Sequence, residues 1–307
     1  MNKLLVICGP TATGKTSLGI FLAKEFDGEI ISADSRQVYK GMDIGTGKEW
    51  DDNIKIWGYD LVAPKEEFSV SKYLKFAEDA ILDIESRGKL PILVGGTGLY
   101  IKGVVDGIPT VDIPRNEKLR KNLDKLTADQ LYEHLSQLDS FKAGAMNSSD
   151  KKNPRRLVRA IEVAMWSLDN SKKDLVEYRN NFDTLFVGLT ASAKFLEDRI
   201  NKRVIERVSK DFEREVKKLL DSGVDWNDQS MMSLGYRQWR DFIEGAVDKE
   251  SAISEWKKEE RKYSKRQMVW FKRDSRVNWF DISKADYRKK VENLVKKWYT
   301  VSYAKKN

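Results

Sequence analysis

The sequence is poor in the residues that build disulfides and metal centres. Its 307 residues include one cysteine, Cys8, and one histidine, His134. A single cysteine excludes an internal disulfide, which suits a reducing compartment such as the cytoplasm. One cysteine and one histidine also cannot form a zinc site. No apolar run reaches the roughly 18 residues of a membrane helix, and no signal-peptide pattern is present. We therefore expect a cytoplasmic protein without a membrane partner.

What the sequence has in quantity is charge, with basic residues in excess. Lys and Arg number 56 against 48 Asp and Glu, which gives a formal net charge of +8, and hydrophobic residues make up 40%. This composition is typical of a globular protein with a sizeable core. The positive balance suggests a polyanionic partner, although many basic enzymes have none.

The start of the chain carries a phosphate-binding pattern. An apolar run, Leu4 to Cys8, leads into a loop bounded by glycines, and Ser17 to Phe26 then follows with helical character. In such a P-loop, backbone N–H groups surround an anion, the lysine adds positive charge, and the hydroxyl after it can bind Mg²⁺. The loop residues are Gly9, Pro10, Thr11, Ala12, Thr13, Gly14, Lys15 and Thr16, with Thr16 as the candidate metal ligand. The pattern indicates phosphate or diphosphate without saying which.

Further strands and helices alternate along the chain, which predicts a doubly wound parallel sheet. Short strands are predicted at 29–33, 90–94, 184–189 and 277–280. Helices are predicted at 70–86, 193–221, 235–243, 252–271 and 287–299. Asp34 follows the second strand, and a second glycine-rich turn, Gly95 to Gly98, follows the third. Ligands of open α/β sheets bind at this carboxyl edge.

The region 111–180 has no strand signal and contains several short helical patterns, so we interpret it as a helical insertion. The predicted fold class is α/β, a P-loop NTPase-like parallel sheet flanked by helices, with an all-helical insertion domain. The catalytic core is predicted to comprise residues 1–110 and 181–307. We expect a monomer.

Two polar residues at the sheet edge have both chemical and structural interpretations. Asp34 could support a metal or act as a general base, or it could simply cap a helix or close an Asx turn. Thr97 could bind phosphate oxygens or be an ordinary turn residue.

Basic clusters leave similar alternatives open. Lys151 to Arg159 and Glu255 to Arg276 are rich in Lys and Arg, and the second also contains aromatic residues. Such segments can bind a nucleic-acid backbone and stack bases, or they can be solvated helix faces. Arg199 and Arg203, four residues apart, could reach an anion or pair with Glu197 or Glu206.

Taken together, these segments resemble the tRNA dimethylallyltransferase family, also called tRNA isopentenyltransferases. The resemblance covers nearly the whole chain. It rests on six segments in order, namely Gly9 to Thr16, Asp34 to Thr46, Leu93 to Tyr100, Asn153 to Val163, Leu234 to Arg237 and Lys265 to Phe271.

The resemblance implies transfer of a dimethylallyl group from dimethylallyl diphosphate to N6 of the adenosine 3′-adjacent to the tRNA anticodon, with Mg²⁺ as cofactor. It implies that the P-loop holds the donor's diphosphate and that Asp34 is the general base. The implied catalytic set is Asp34, Thr97, Lys15 and Arg203. The implied contacts to the anticodon stem-loop are Asp34, Ser35, Arg36, Gln37, Thr97, Arg120, Arg155, Arg156, Leu157, Val158, Arg159, Gly235, Tyr236, Arg237, Lys265, Arg266, Gln267, Trp270 and Lys272.

The sequence departs from the family pattern at two places. Gly58-Tyr59-Asp60-Leu61-Val62 replaces the usual His-His-Leu-hydrophobic-Asp, and Gly47 replaces the alanine of Gly-Thr-Ala-Lys. Alternatives are an adenylate isopentenyltransferase acting on free AMP, ADP or ATP, an ATP-dependent small-molecule kinase, and a non-catalytic RNA-binding protein. The two basic segments favour tRNA over a free nucleotide, and Lys15, Thr16 and Asp34 favour an enzyme.

Overall fold

The computed structural model describes residues 2–170 and 182–301. The chain divides into two compact units, the second of which begins after Asp106. The first unit contains the sheet and most helices. Its elements are β1 (Asn2–Cys8), α1 (Lys15–Glu25), β2 (Gly28–Ala33), β3 (Ile56–Trp57), α2 (Val70–Ser86), β4 (Leu90–Gly95), α3 (Gly98–Asp106), β5 (Phe182–Thr190), α9 (Ala193–Ser209), α10 (Phe212–Asp221), α11 (Tyr236–Ile243), α12 (Lys249–Phe271), β6 (Val277–Asp281) and α13 (Tyr287–Val301). The described part of the second contains α4 (Glu117–Leu123), α5 (Ala128–Leu138), α6 (Ser140–Ala145), α7 (Ser148–Lys151) and α8 (Pro154–Asp169).

The six strands form one sheet in the order β3-β2-β4-β1-β5-β6, and every pairing is parallel. Leu5 of β1 lies opposite Ile92 of β4 on one side and Leu185 of β5 on the other. The predicted parallel α/β fold is therefore confirmed. The two-residue edge strand β3 was not predicted, because so short a segment carries no periodicity.

The strand order brings three loops together. β4 lies between β1 and β2, so the carboxyl ends of these three strands are neighbours at one edge of the sheet. The P-loop follows β1, Asp34 follows β2, and Gly96-Thr97 follows β4. These loops are distant in sequence, and the parallel arrangement places them side by side.

The sheet is covered on both faces, as the alternation of side chains along β1 shows. Leu4 and Val6 belong to a core cluster that includes residues of α2, α3, α9, α10, α11 and α12. Leu5 and Ile7 belong to a second cluster with residues of α1 and α13. Since successive side chains of a strand point to opposite faces, a continuous apolar run here marks a strand buried on both sides.

The single helix predicted for 193–221 is wrong. α9 ends at Ser209 and α10 begins at Phe212, because Asp211 adopts a left-handed backbone with φ 67°. The break lets Phe212 turn into the core, where its ring lies 5.3 Å from that of Trp239 and 4.7 Å from that of Trp256. Tertiary packing of aromatic rings outweighs the helical continuity of the charged sequence. α3 was also missed, because glycines at its start obscured it.

The described residues of the second unit, 107–170, contain the five helices α4 to α8 joined by loops and turns, and no strand. Its core contains Leu123, Leu131, Leu135, Leu157 and Ile161. α8 begins at Pro154, and the Asn153 side chain accepts the N–H of Arg156 as its N-cap. The first unit boundary lies at 106/107, against the predicted 110/111, and the predicted boundary at 180/181 lies outside the described residues. Within the described residues of the whole chain, no helix is long and apolar enough to cross a membrane.

Candidate active site

The P-loop joins β1 to α1 through glycine conformations that other residues rarely adopt. Gly9 has φ 131°, and a Cβ there would lie 2.4 Å from the carbonyl oxygen of Leu189. Gly14, with φ 81°, precedes α1, and among the described residues no side chain caps that helix. Its first N–H groups therefore point towards the loop, as anion binding requires.

Lys15 is the first residue of α1 and is partly buried in the loop. Its Nζ donates a hydrogen bond to the carbonyl oxygen of Pro10 at 2.8 Å. Desolvation, with a further contribution from the nearby charge of Arg203, lowers the pKa of Lys15 to about 8. The lysine is thus held beside the loop in a setting where an anion would restore its usual pKa.

A cavity of about 710 Å³ opens over the three loops and lies entirely within the first unit. This volume is typical of small-molecule sites. Eight basic and four acidic side chains line it. The basic ones are Lys15, Arg36, Arg199, Lys202, Arg203, Arg207, Arg237 and Arg266, and the acidic ones are Asp34, Glu49, Glu206 and Glu260. The excess of positive charge suits a polyanion such as a diphosphate.

Asp34 lines this cavity and also closes an Asx turn. Its Oδ1 accepts the backbone N–H of Arg36 at 2.9 Å. The structural alternative considered from the sequence is therefore present, but it uses one carboxylate oxygen. Because the turn fixes the orientation of the side chain, it is compatible with a catalytic role, which stays a prediction.

Thr97 supports the loop of Asp34. Its Oγ1 accepts the N–H of Ser35 at 3.1 Å, and its own N–H donates to the carbonyl of Ala33 at 3.0 Å. Thr97 is outside the set of described residues that line the cavity. These contacts position Asp34, and a direct contact of Thr97 with substrate stays a prediction.

Arginines of α9 contact the P-loop. The Nε of Arg199 donates to the carbonyl of Ala12 at 2.7 Å, and Arg203 donates to the hydroxyl of Thr11. Arg203 also forms an ion pair of 3.1 Å with Glu260 of α12. The alternative that Arg203 pairs with Glu206 is wrong, since Glu206 instead pairs with Lys202. Arg199 and Arg203 are therefore placed where they can reach a bound diphosphate.

Glu260 is the residue that sequence reasoning missed most clearly. It is 3% exposed and accepts hydrogen bonds from Arg203, Arg207 and the indole N–H of Trp256. Burial raises the pKa of Glu260, but the two arginines and the indole outweigh this effect and hold it below its usual value. A signal was available, because the buried positions of α12 form a stripe at intervals of three or four residues, and this carboxylate lies on it.

The described residues could bind a magnesium ion only together with the phosphate oxygens of a bound diphosphate. Thr16 lines the cavity at the first turn of α1. Across residues 2–170 and 182–301, no group of three or more His, Cys, Asp or Glu side chains could hold a metal ion. Mg²⁺ is commonly held by one or two protein groups, substrate phosphates and water. Thr16 and the phosphate oxygens would match that arrangement.

The predicted tRNA contacts of the first unit fall into three groups. Ser35, Arg36 and Arg237 line the cavity with Asp34. On α12 and at its C-cap, exposed side chains form a basic and aromatic surface; they are Lys265, Arg266, Trp270 and, at the C-cap, Lys272. The third group is buried and comprises Gln37, Gly235, Tyr236 and Gln267. Gln37 and Gln267 of this group and Arg266 of the second also line the cavity.

For Tyr236, direct contact of the side chain with RNA is corrected to packing, whereas contacts of Gln37 and Gln267 stay a prediction. Tyr236 is fully buried and its hydroxyl bonds to Glu215. Gln37 accepts the Ser32 hydroxyl at 2.7 Å and donates to the Gly47 carbonyl at 3.2 Å. Gln37 still lines the cavity, whereas Tyr236 lies behind Arg237, so the motif at 235–237 is not one continuous contact surface.

The second unit shows the same distinction within α8. Arg155 and Arg156 are exposed, whereas Leu157 and Val158 are buried in the core of the unit. Residues 155–159 make more than one turn of helix, so their side chains cannot all face one way. The predicted contacts of the Leu157 and Val158 side chains with tRNA are therefore corrected to packing.

Arg120 and Arg159 meet at one carboxylate of the second unit. Glu162, 2% exposed, accepts two hydrogen bonds from Arg120, at 3.0 and 2.8 Å, and a further one from Arg159. Burial raises the pKa of Glu162, but these arginines and the N–H of Asn116 lower it to about 2. The two arginines are thereby held side by side as one basic group.

The chain is similar to known proteins of one family. A family model described as IPP transferase matches residues 37–274, and one described as isopentenyl transferase matches residues 2–57. A tRNA dimethylallyltransferase of Halalkalibacterium halodurans is 38% identical, with 95% of each chain covered. One of Staphylococcus aureus is 40% identical, covering 92% of this chain and 94% of the relative.

The chain belongs to the tRNA dimethylallyltransferase family. Two solved structures of similar enzymes share its fold. The full-length tRNA isopentenylpyrophosphate transferase of Bacillus halodurans has a TM-score of 0.74 at 35% identity, with full coverage of both chains. A eukaryotic dimethylallyltransferase acting on tRNA has a TM-score of 0.80 at 25% identity, covering 96% of this chain and 78% of that one. Membership of the tRNA dimethylallyltransferase family supports prenyl transfer to tRNA over the free-adenylate alternative.

Proposed function

We propose that the protein transfers a dimethylallyl group from dimethylallyl diphosphate to N6 of the adenosine 3′-adjacent to the anticodon of tRNA, releasing diphosphate. One observation carries the proposal. The P-loop, Asp34 and the arginines of α9 line the same cavity, so an anion-binding end and a candidate base lie within one small-molecule site.

The donor's diphosphate is expected at the P-loop. The N–H groups at the start of α1, which no side chain of the described residues caps, provide positive charge there together with the ammonium of Lys15 and the guanidinium of Arg203. Charge develops on the leaving diphosphate as its bond to the allylic carbon breaks. Preorganised donors that meet this charge lower the barrier. When bound, a magnesium ion held by Thr16 and phosphate oxygens would supply further positive charge to the leaving group.

Asp34 is the proposed general base. The exocyclic amine of adenine is a weak nucleophile, because its lone pair is delocalised into the ring. As the new C–N bond forms, the amine must lose a proton, and a carboxylate fixed by the Asx turn can accept it. The allylic C–O bond breaks in the same exchange, and the electron pair leaves with the diphosphate.

Access to N6 requires the target base to leave its stack and enter the cavity, as in other enzymes that modify bases. The exposed surface of α12 suits the surrounding RNA. Lys265, Arg266 and Lys272 can meet phosphates, and Trp270, 41% exposed, can stack on a base. Arg155 and Arg156 of the second unit offer further exposed charge, consistent with a tRNA-contacting insertion.

We also infer that the enzyme acts as a monomer, because a single chain supplies every group in the proposed mechanism. The single cysteine, buried at the end of β1, suits a reducing compartment such as the cytoplasm.

The deciding experiment offers radiolabelled dimethylallyl diphosphate and Mg²⁺ to the protein with unmodified tRNA, and in a separate tube with free AMP or ATP. Label is expected in tRNA alone. Label in the free nucleotide would instead support an adenylate isopentenyltransferase. ATP hydrolysis without transfer of label would support the phosphate-binding role of the P-loop and refute the proposed reaction.

A further inference from the structure

The side chain of Gln267 joins the two glycine loops of the site. Gln267 lies on the buried stripe of α12 and is 6% exposed. Its Oε1 accepts the backbone N–H of Thr11 at 2.8 Å, and its Nε2 donates to the carbonyl of Gly96 at 3.0 Å. One amide therefore links the P-loop after β1 to the turn after β4.

Both bonds need the chemistry of a carboxamide. A backbone N–H can only donate and a carbonyl can only accept, so the linking side chain must present one acceptor and one donor. Glutamate would place an oxygen against the Gly96 carbonyl, and asparagine is shorter by one methylene. The fit is also tight at Gly96, where a Cβ would lie 2.1 Å from Nε2 of Gln267. The absence of a side chain at Gly96 therefore leaves room for the Gln267 amide.

The link continues to Asp34. Thr97 follows Gly96 directly, and its Oγ1 accepts the N–H of Ser35, the residue after Asp34. At the other end, the hydroxyl of Thr11 receives a hydrogen bond from Arg203. A continuous path of short contacts thereby runs from the diphosphate-binding arginine, through Gln267, to the loop of the proposed base.

We propose that Gln267 is a positioning residue that fixes the distance between the donor site and the base. This inference rests on the proposed function, since it assigns the two ends of the path to donor and base. It also replaces direct tRNA contact as the role of Gln267. The residue lies in the Lys265 to Lys272 segment, but its polar atoms are used inside the protein, whereas its neighbours Lys265 and Arg266 are exposed.

The test compares Gln267→Met, which keeps the length of the side chain and removes both hydrogen bonds, with Arg266→Ala on the exposed face of α12. Lys262→Ala, an exposed lysine one turn away, is the matched control. For Gln267→Met we expect kcat at saturating tRNA to fall by about 10²-fold, the scale of an ångström misplacement. Its Kd for tRNA should stay within about twofold of the parent, whereas Arg266→Ala should weaken tRNA binding.

Hydrogen exchange provides a readout that does not depend on activity. The amide of Thr11 should exchange faster in Gln267→Met than in the parent, while amides in the core of β1 stay protected. Gln267→Glu serves as a second variant, because it keeps the acceptor for Thr11 and loses the donor to Gly96. It should retain protection at Thr11 and still lose kcat.

The outcomes separate this inference from the proposed function. Weaker tRNA binding with unchanged kcat would make Gln267 an RNA contact and overturn the inference. Unchanged kcat, tRNA Kd and Thr11 exchange would overturn it as well. Absence of transfer by the parent enzyme would refute the proposed function, and Thr11 exchange would still report whether the link exists.

Discussion

Glu260→Gln is expected to destabilise the first unit, because it removes the counter-charge of two arginines. The carboxylate side chain is 4% exposed, and that of Arg207, 3.2 Å away, is 9% exposed. Desolvation, followed by the charge of Arg203, lowers the pKa of Arg207 to about 10, so the guanidinium stays charged at neutral pH. The variant therefore leaves positive charge in a place with little water.

The expected magnitude follows from this burial. Removing one partner of a buried pair costs about 3–5 kcal/mol, whereas an exposed pair contributes about 0–1 kcal/mol. Arg203 is 29% exposed and can be partly hydrated, so the cost comes mainly from Arg207. We expect a loss of about 3 kcal/mol in the free energy of unfolding, the lower end of the range for buried pairs.

The effect should depend on pH. Because the folded-state pKa of Glu260 is lowered, its charge contributes stability above the unfolded-state value of about 4.3. That contribution is lost as the pH falls through the lower folded-state pKa. The difference between parent and variant should therefore be complete at neutral pH and shrink in acid.

Urea unfolding followed by tryptophan fluorescence measures the change, since Trp239 and Trp256 are buried beside this cluster. Glu255→Gln on the same helix is the matched control, because Glu255 is 47% exposed and pairs only with Lys258 among the described residues. It should cost less than about 0.5 kcal/mol. Equal unfolding midpoints for the two variants would refute the reasoning. Adding Arg207→Met to Glu260→Gln should cost less than the same change in the parent.

Three further predictions concern catalysis and binding. Asp34→Asn keeps an acceptor for the Asx turn and removes the base, so turnover should fall by roughly 10²-fold or more with tRNA affinity unchanged; turnover within a few-fold of the parent would exclude the role. Replacing Arg266 and Arg273, an exposed residue in the turn just after α12, by alanine should weaken tRNA binding and flatten its dependence on salt. An unchanged slope would make this a solvated surface. Because the pKa of Lys15 is lowered to about 8, its charge is lost as the pH rises, and kcat/KM for dimethylallyl diphosphate should fall with an apparent pKa near 8; a flat profile would contradict this.

Residues close together in sequence made the P-loop predictable. The apolar run, the glycines and Lys15-Thr16 act through local backbone geometry, which a short segment specifies by itself. The alternation of strands and helices likewise predicted a parallel sheet, and parallel strands require their carboxyl ends to share one edge. The meeting of Asp34 with the P-loop therefore followed from the pattern.

Glu260, Arg207 and Gln267 depended on tertiary structure instead. Each lies on a charged helix whose composition also fits a solvated face, and only packing shows which side is buried. The break at Asp211 belongs with them, because the burial of Phe212 against Trp239 and Trp256 decides it. The segments predicted to contact tRNA show the same limit. Arg156 and Leu157 are adjacent in the motif, but the helix directs their side chains to different faces.

The phosphate loop, the parallel sheet and the family could all be inferred from the amino-acid sequence, because they depend on local geometry and on the order of motifs along the chain. The polar groups of α9 and α12 that stabilise the site could be identified only once the packing of these helices was known. The contact of Gln267 with Thr11 joins residues far apart in the chain, and no local signal specifies such a pair. This contact forms because α12 packs against two loops, where a buried N–H and a buried carbonyl both need a hydrogen-bond partner.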